Sequence, residues 1–141
     1  MSATTSRMGP MDGTATTQRA LRILIIDDDE TARYTLASFA SRPGTEIIEA
    51  QNGTEGISRT NHHHPDLVFL DLMMPGIGGH EVLHRLRSDP STANIPVIVV
   101  TSRFVNEEER NQIMSKAAAV IYKGDLSREI VTRAIDAALG A

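Results

Sequence analysis

The chain has 141 residues, which suits one domain and leaves little room for a second. Its 40% hydrophobic content is enough for a packed core, while a net charge of -4 argues against direct binding to nucleic acid. The absence of cysteine excludes disulfide and thiol chemistry. No apolar run approaches the roughly 18 residues of a membrane span, and no signal peptide is evident. A soluble cytoplasmic domain is therefore expected.

The first part of the chain differs in composition from the remainder. Residues 1–20 are rich in Ser, Thr, Gly and Met and show no apolar periodicity. We interpret this stretch as a flexible leader or linker. Residues 21–141 are expected to form the folded domain.

Short apolar runs alternate with amphipathic stretches from residue 21 onward. The run 21–26 predicts a first strand, and the stretch after it predicts a helix with one apolar face made of Ala32, Leu36, Phe39 and Ala40. Residues 45–50 predict the second strand. Asn52 and Glu55 then have the spacing of a helix cap and its reciprocal partner, which predicts a short second helix through Ile57.

The same alternation continues to the end of the chain. Residues 67–70 predict the third strand, followed by a helix whose buried stripe is Val82, Leu83 and Leu86. Residues 95–100 predict the fourth strand, and Asn106 with Glu109 repeats the capping pattern before a polar helix. Residues 117–122 predict the fifth strand. One face of the final helix is predicted to contain Val131, Ile135 and Leu139.

The predicted strands are continuously apolar rather than alternating. Such strands are typical of a parallel sheet that is covered by helices on both faces. Five strands alternating with five helices usually form a doubly wound α/β sheet, whose ligands bind at the carboxyl ends of the strands. Functional residues are therefore expected at those ends.

Polar residues follow four of the five predicted strands: Asp27, Asp28 and Asp29 after the first, Asp71 after the third, Thr101 after the fourth and Lys123 after the fifth. Each alone has an ordinary explanation as a helix cap, a turn residue or a solvated charge. Together they would crowd carboxylates that repel one another unless a cation neutralises them. Such an oxygen-rich set suits Mg²⁺, and the added hydroxyl and ammonium complete what phosphoryl transfer requires.

Four segments carry a specific family resemblance. They are Ile23–Glu30, Asp66–Gly76, Pro96–Ser102 and Tyr122–Lys123. In this order and spacing they resemble the receiver domain of two-component response regulators, and the likeness covers residues 21–139. The resemblance implies a flavodoxin-like doubly wound (βα)₅ fold with a five-stranded parallel sheet of order 2-1-3-4-5.

The resemblance also implies a function. A receiver is a phosphoacceptor signalling domain rather than a conventional enzyme: it takes a phosphoryl group from phosphohistidine on a sensor histidine kinase or a histidine phosphotransfer protein. It then switches a protein-interaction surface formed by the fourth helix, fifth strand and fifth helix. Because nothing follows Ala141, we expect either a stand-alone regulator or the C-terminal receiver of a hybrid sensor kinase. Formation of a homodimer is left open.

Site residues are assigned from the resemblance. Asp71 would be the phosphoacceptor. Asp28 and Asp71 would bind Mg²⁺, with Asp27 assisting and the carbonyl of Met73 as a further ligand.

Two other residues would act on the phosphoryl group itself. Thr101 would hydrogen-bond it and switch, and Lys123 would pair with it or, before transfer, with Asp71. Met73 and Arg103 occupy the two positions at which the family tunes the rate of dephosphorylation.

Two departures from the family pattern bear on the switch. The lysine is normally followed by a cis proline, whereas Gly124 stands here and predicts a trans bond. The aromatic residue expected three positions before the lysine is Val120. Tyr122, two residues further on, should point to the same side of a regular strand.

Two other functions compete with this one. Residues 27–31 fit the Asp-x-Asp-x-Thr start of haloacid-dehalogenase-like phosphatases, but that interpretation leaves Asp71 unexplained. A pseudo-receiver, which binds partners without phosphorylation, is the second alternative. The three histidines at 62–64 are better explained as a solvated loop than as a metal site, because they precede the third strand and so lie at the opposite edge from the acids.

Overall fold

The computed structural model describes residues 20–140, so the predicted leader at 1–20 lies outside the described residues except for Ala20. Strands and helices alternate strictly along this part of the chain. In order they are β1 (Leu21–Ile26), α1 (Glu30–Ala40), β2 (Thr45–Ala50), α2 (Gly53–His63), β3 (Leu67–Asp71), α3 (Gly79–Ser88), β4 (Val97–Thr101), α4 (Glu107–Met114), β5 (Ala119–Tyr122) and α5 (Arg128–Ala138). A single 3₁₀ turn, Lys123–Asp125, joins β5 to α5.

The five strands form one parallel sheet in the order β2-β1-β3-β4-β5, which confirms the predicted fold class. Register fixes where each strand ends relative to its neighbours. Asp71 pairs with Val100, and Thr101 pairs with Tyr122, the residue before Lys123. The polar residues predicted for the strand ends are therefore brought to one edge of the sheet, next to the reversal of strand order between β1 and β3.

The sheet is covered on both faces, as its continuous apolar strands predict. One face, with Leu24 and Val68, belongs to a buried cluster that includes Leu83 of α3 and Ile113 of α4. The opposite face, with Phe69, packs in a second cluster that includes Ile135 of α5 and residues of α1. The paired strands β1 and β3 thus lie between two packed layers.

Several predicted boundaries were wrong by a few residues. Helix α2 continues to His63 rather than ending at Ile57, because its later turns also pack: Thr60 is fully buried and its hydroxyl donates to the carbonyl of Gly56 at 2.7 Å. The histidines at 62–64 consequently form the last turn and cap of α2 rather than a loop. Leu139, predicted on the face of α5, lies just beyond its end and is 36% exposed.

The last two strands begin two residues later than predicted. Before β4, the amide of Ile95 donates to the carbonyl of Thr92 and closes a turn. Before β5, the amide of Ala117 donates to the carbonyl of Ile113 at the end of α4. These residues are apolar, but their backbone bonds belong to the preceding turn and helix.

The asparagine caps were predicted correctly, but neither glutamate predicted to bond back to its cap residue does so. Asn52 and Asn106 accept from the amides of Glu55 and Glu109, respectively, at 2.8 Å. The Glu55 carboxylate accepts from the amide of Gln51, one residue before the cap. The Glu109 carboxylate turns away from the helix start altogether and binds other side chains. Within residues 20–140 no helix is long and apolar enough to cross a bilayer.

Candidate functional site

Three carboxylates converge at the carboxyl ends of β1 and β3. Asp27, Asp28 and Asp71 each place an oxygen within 4.8 Å of the other two. Asp27 and Asp71 are 4% exposed, whereas Asp28 faces solvent. Asp29 does not join them, because its side chain caps α1 by accepting from the amide of Thr31 at 3.1 Å.

Asp27 is held in place from both sides. Its carboxylate accepts from the amide of Asp29 at 2.9 Å. Its carbonyl accepts from Nη1 of Arg33 at 2.7 Å, and the same guanidinium binds the carboxylate of Glu49 at 2.9 Å. Arg33 is not among the residues predicted from the sequence, although an arginine one turn into the helix that follows an acidic triplet is within reach of that triplet. These bonds hold Asp27 at the carboxyl end of β1.

Lys123 provides the positive charge of the site. Its Nζ lies 2.8 Å from Oδ2 of Asp27 and 3.8 Å from Oδ2 of Asp71. The resemblance implies that Lys123 pairs with Asp71 before transfer, whereas in the structure Lys123 lies closer to Asp27. Burial of this lysine favours the neutral amine, but the hydrogen bond and charge of Asp27, with the charge of Asp71, outweigh it and raise the pKa of Lys123. It is therefore a full cation at neutral pH.

The carboxyl group of Asp71 ionises less readily than a free aspartate. Burial, followed by the charge of Asp27, raises its pKa to about 6. Lys123 and the amide of Met73, which donates to Oδ1 at 3.4 Å, lower the pKa only in part. One ammonium does not neutralise the cluster, so a further cation would be stabilised there.

Thr101 lies at the end of β4, the neighbour of β3, and is completely buried. Its Oγ1 accepts from the amide of Arg103 at 3.2 Å. Because that bond uses a lone pair, the hydroxyl hydrogen stays available to donate to an oxygen acceptor. The Thr101 hydroxyl and the Lys123 ammonium are thus both side-chain donors at this edge.

The donor set fits a hard divalent cation. All three converging side chains offer carboxylate oxygens, which Mg²⁺ prefers. Within residues 20–140 no other group of three acidic, histidine or cysteine side chains has this spacing, and the histidines at 62–64 do not form one. Met73 contributes its amide to Asp71, while the ligand role predicted for its carbonyl stays a prediction.

At the end of β5, the structure has the features predicted from Gly124 and Val120, the two departures from the family pattern. Peptide bonds are trans throughout residues 20–140, including Lys123–Gly124. Val120 packs against the cluster that contains Val105, and the Tyr122 hydroxyl lies 3.4 Å from the Val105 amide nitrogen. Both side chains thus lie on one face of β5, and Tyr122 ties the end of this strand to the loop after β4.

A family model described as the response regulator receiver domain matches residues 23–135, which is most of the chain and includes all of the residues above. This chain belongs to the response regulator receiver family. It is a phosphoacceptor signalling domain rather than a conventional enzyme, and the match favours this function over the phosphatase alternative. Within these residues the carboxylates of Asp27, Asp28 and Asp71 converge beside the ammonium of Lys123, while the roles that the resemblance assigns to them and to Thr101 stay predictions.

Curated relatives support the family and differ greatly in length. PilH of Pseudomonas aeruginosa is 31% identical over 115 residues, which cover 82% of this chain and 87% of PilH. The gliding motility regulatory protein of Myxococcus xanthus is 35% identical over 84% of this chain, but the receiver spans only 15% of that protein. The phosphate regulon transcriptional regulatory protein PhoB of P. aeruginosa is 33% identical over 79% of this chain and 48% of PhoB. This chain spans less than half the length of the gliding motility regulatory protein and of PhoB.

Solved structures agree with the fold. The N-terminal domain of a response regulator receiver protein from Methanoculleus marisnigri JR1 is 32% identical, with a TM-score of 0.69 over 85% of this chain and 97% of that one. The chemotaxis protein CheY4 of Vibrio cholerae has a TM-score of 0.76 at 20% identity, over 86% of this chain and 100% of that one, and supports the fold alone.

Proposed function

We propose that this receiver accepts a phosphoryl group on Asp71 in a reaction that depends on Mg²⁺. The observation that carries the proposal is the convergence of Asp27, Asp28 and Asp71 within 4.8 Å, beside the ammonium of Lys123. Buried like charges are costly, so a cluster of this kind is stabilised by a cation and by chemistry that uses it.

The transfer step uses Asp71 as a nucleophile. A carboxylate oxygen of Asp71 attacks the phosphorus of a phosphohistidine on a sensor histidine kinase or a histidine phosphotransfer protein. The new P–O bond forms as the N–P bond breaks, and the bonding electron pair stays on the imidazole nitrogen of the donor. No general base is needed, because the ionised carboxylate is already nucleophilic.

The other residues stabilise charge around this step. Asp28 and Asp71 would hold Mg²⁺ with help from Asp27 and the Met73 carbonyl, and the bound ion supplies charge neutralisation for the phosphoryl oxygens. Lys123 would pair with one of those oxygens. Thr101 would donate its hydroxyl hydrogen to another, for which its buried position at the end of β4 prepares it.

Hydrolysis would reset the domain: water attacks the phosphorus, the bond to the Asp71 oxygen breaks, and inorganic phosphate leaves. In the phosphorylated interval the surface of α4, β5 and α5 would bind a downstream protein, or a second copy of the receiver. The hybrid-kinase context and the cytoplasmic location expected from the sequence stay predictions.

Incubation with acetyl phosphate and Mg²⁺, followed by intact-mass measurement, tests the proposal. One phosphoryl group should be added per chain, and a chelator should prevent it. Asp71→Asn should abolish labelling. Asp29→Asn is the matched control, because it removes a neighbouring charge from the same triplet while asparagine remains a good helix cap.

The alternatives make different predictions in this assay. Labelling that survives Asp71→Asn but is lost in Asp27→Asn would support the phosphatase function. A wild-type protein that stays unlabelled at every Mg²⁺ concentration, although folded, would support the pseudo-receiver.

A further inference from the structure

The Arg103 guanidinium makes a forked ion pair with Glu109. Nη1 lies 2.8 Å from Oε1 of Glu109, and Nη2 donates to Oε2. The Nη1 group also donates to the carbonyl of Phe104 at 3.2 Å. Nε2 of His80, in the first turn of α3, lies 2.8 Å from Oε2 of Glu109. The side chain of Glu109 is thus the meeting point of the β4–α4 loop, α3 and α4.

The same arginine also reaches the phosphoacceptor site. Its amide donates to Oγ1 of Thr101, and its Nε lies 3.2 Å from Sδ of Met73. Met73 in turn donates its amide to Asp71. Met73 therefore lies between the Arg103 side chain and the phosphoacceptor Asp71. The terminal nitrogens of the Arg103 guanidinium are bound to Glu109 of α4.

The Arg103–Glu109 pair is ionised over the whole physiological range. The hydrogen bonds from Arg103 and then from His80 lower the pKa of Glu109 to about 2, and the bond to Glu109 raises the pKa of Arg103. Arg103 is 36% exposed and Glu109 21%, so the pair is accessible to solvent and can exchange partners without unfolding the core.

We propose that the Arg103–Glu109 pair, braced by His80, is a latch: Arg103 holds the start of α4 while Asp71 is unmodified, and transfers to the phosphoryl group once Asp71 carries one. This inference rests on the proposed function, since it requires phosphorylation of Asp71. It adds a coupling route from the site to α4 that starts at Arg103.

The larger negative charge of the phosphoryl group favours transfer of the Arg103 guanidinium from Glu109 to that group. A phosphoryl group carries about 1.5 to 2 negative charges and three acceptor oxygens, against the single charge of the Glu109 carboxylate. Arginine binds such planar or tetrahedral anions with two parallel bonds. Loss of the guanidinium leaves Glu109 with His80 alone, so the first turn of α4 becomes less constrained.

The latch would matter in this chain because Val120 stands where an aromatic switch residue is expected. A valine side chain has no ring to swing between two positions. The β4–α4 loop is instead held at Arg103 by Glu109 and at Val105 by the Tyr122 hydroxyl. Release of the Arg103–Glu109 contact would allow the β4–α4 loop and α4 to shift relative to β5.

Hydrogen exchange of the backbone amides of residues 107–114 tests the latch. Trifluoroberyllate with Mg²⁺ serves as the phosphoryl mimic, because it binds the carboxylate oxygen in place of a phosphoryl group and needs no phosphoryl donor. In the free protein, Glu109→Gln should speed exchange in this segment several-fold, whereas Glu108→Gln should not, since Glu108 is an exposed neighbour in the same turn. Trifluoroberyllate should bring the wild-type protein to the rate of the free Glu109→Gln variant.

Arg103→Gln completes the experiment. This variant should exchange fast in the free state and show no further change with trifluoroberyllate. Equal exchange of free wild-type and Glu109→Gln protein would overturn the latch. So would a wild-type protein that is labelled on Asp71 by acetyl phosphate but shows no change in α4. Absence of labelling would instead overturn the proposed function, so the two failures are distinguishable.

Discussion

The ammonium of Lys123 lies 2.8 Å from Oδ2 of Asp27, a full ångström closer than to Oδ2 of Asp71. The lysine therefore pairs most closely with a predicted metal ligand, and less closely with the predicted phosphoacceptor. In this arrangement Lys123 and a metal ion draw on the same carboxylate charge. Two consequences follow, one for metal affinity and one for phosphoryl transfer.

Replacement of Lys123 by Met should tighten Mg²⁺ binding and slow phosphorylation. Removing one positive charge a few ångströms from the carboxylates should strengthen binding by several-fold to about tenfold, since the ion then meets no cationic competitor. Labelling by acetyl phosphate at saturating Mg²⁺ should be slower, because a donor to the phosphoryl oxygens is gone. Isothermal titration calorimetry gives the first quantity and intact-mass time courses give the second.

Lys116→Met is the matched control, because that lysine is exposed and lies after α4. It should leave both quantities unchanged. An unaltered Mg²⁺ affinity in Lys123→Met would show that the lysine does not share the charge of the cluster.

The raised pKa of Asp71 predicts a stability difference that depends on pH. A carboxyl whose folded pKa is raised from 3.8 to about 6 contributes its full stability below pH 3.8, and that contribution is lost as the pH rises through about 6. Without Mg²⁺, Asp71→Asn should therefore become more stable than wild type over this window. The gain at neutral pH should be about 3 kcal/mol, because each unit of pKa corresponds to about 1.4 kcal/mol.

Urea unfolding of the two proteins at several pH values measures this difference, and added Mg²⁺ should shrink it by stabilising the wild type. Asp29→Asn should show no comparable rise across the window. If the difference in unfolding free energy between wild type and Asp71→Asn does not change with pH, the cause assigned to the raised pKa is contradicted.

Gly79 is predicted to be essential to the geometry of Asp71. A Cβ at this position would lie 2.5 Å from the carbonyl oxygen of Asp71 and 2.6 Å from the Cα of Leu72, which are both backbone atoms that cannot move aside cheaply. Gly79→Ala should destabilise the fold by about 1–3 kcal/mol and slow labelling through displacement of the β3 end.

Gly124→Ala supplies the comparison, because a Cβ there would meet nothing within 4 Å and the backbone is not left-handed. Its unfolding free energy should match wild type within a few tenths of a kcal/mol. Equal stability of the two alanine variants, measured by urea denaturation, would contradict the close packing of Gly79 on Asp71.

The Thr101 hydroxyl is predicted to matter more for the response of α4 than for the transfer of the phosphoryl group. Thr101→Val keeps the shape of the side chain but has no hydrogen to donate to a phosphoryl oxygen. The variant should still be labelled on Asp71, while the exchange of α4 amides should respond less to trifluoroberyllate than in wild type. Ser102→Ala, at the exposed next position, should respond normally. A full response in Thr101→Val would remove the threonine from the switch.

Much of this site could be predicted because it depends on backbone topology. Once five apolar runs are assigned to a parallel sheet, Asp27, Asp71, Thr101 and Lys123 must lie at the same edge, whatever the details of packing. The register of β3 with β4 then sets how close they come.

Other features depend on side-chain geometry that residue spacing does not fix. Asn106 and Glu109 have the spacing of a reciprocal cap, yet the Glu109 carboxylate binds Arg103, since a charge-assisted fork is stronger than one bond to a backbone amide. Likewise, whether Lys123 lies nearer to Asp27 or Asp71 depends on its rotamer. The late start of β5 reflects the bond of Ala117 to Ile113, which its apolar character does not reveal.

The most direct test of the account is to identify the modified residue chemically. Borohydride reduces an aspartyl phosphate to homoserine, so peptide mass spectrometry after phosphorylation with acetyl phosphate and Mg²⁺ marks the acceptor. We predict homoserine at Asp71 and at no other aspartate, and none when the metal is chelated. Homoserine at Asp27 or Asp28, or its absence from a folded protein supplied with Mg²⁺, would contradict the central claim.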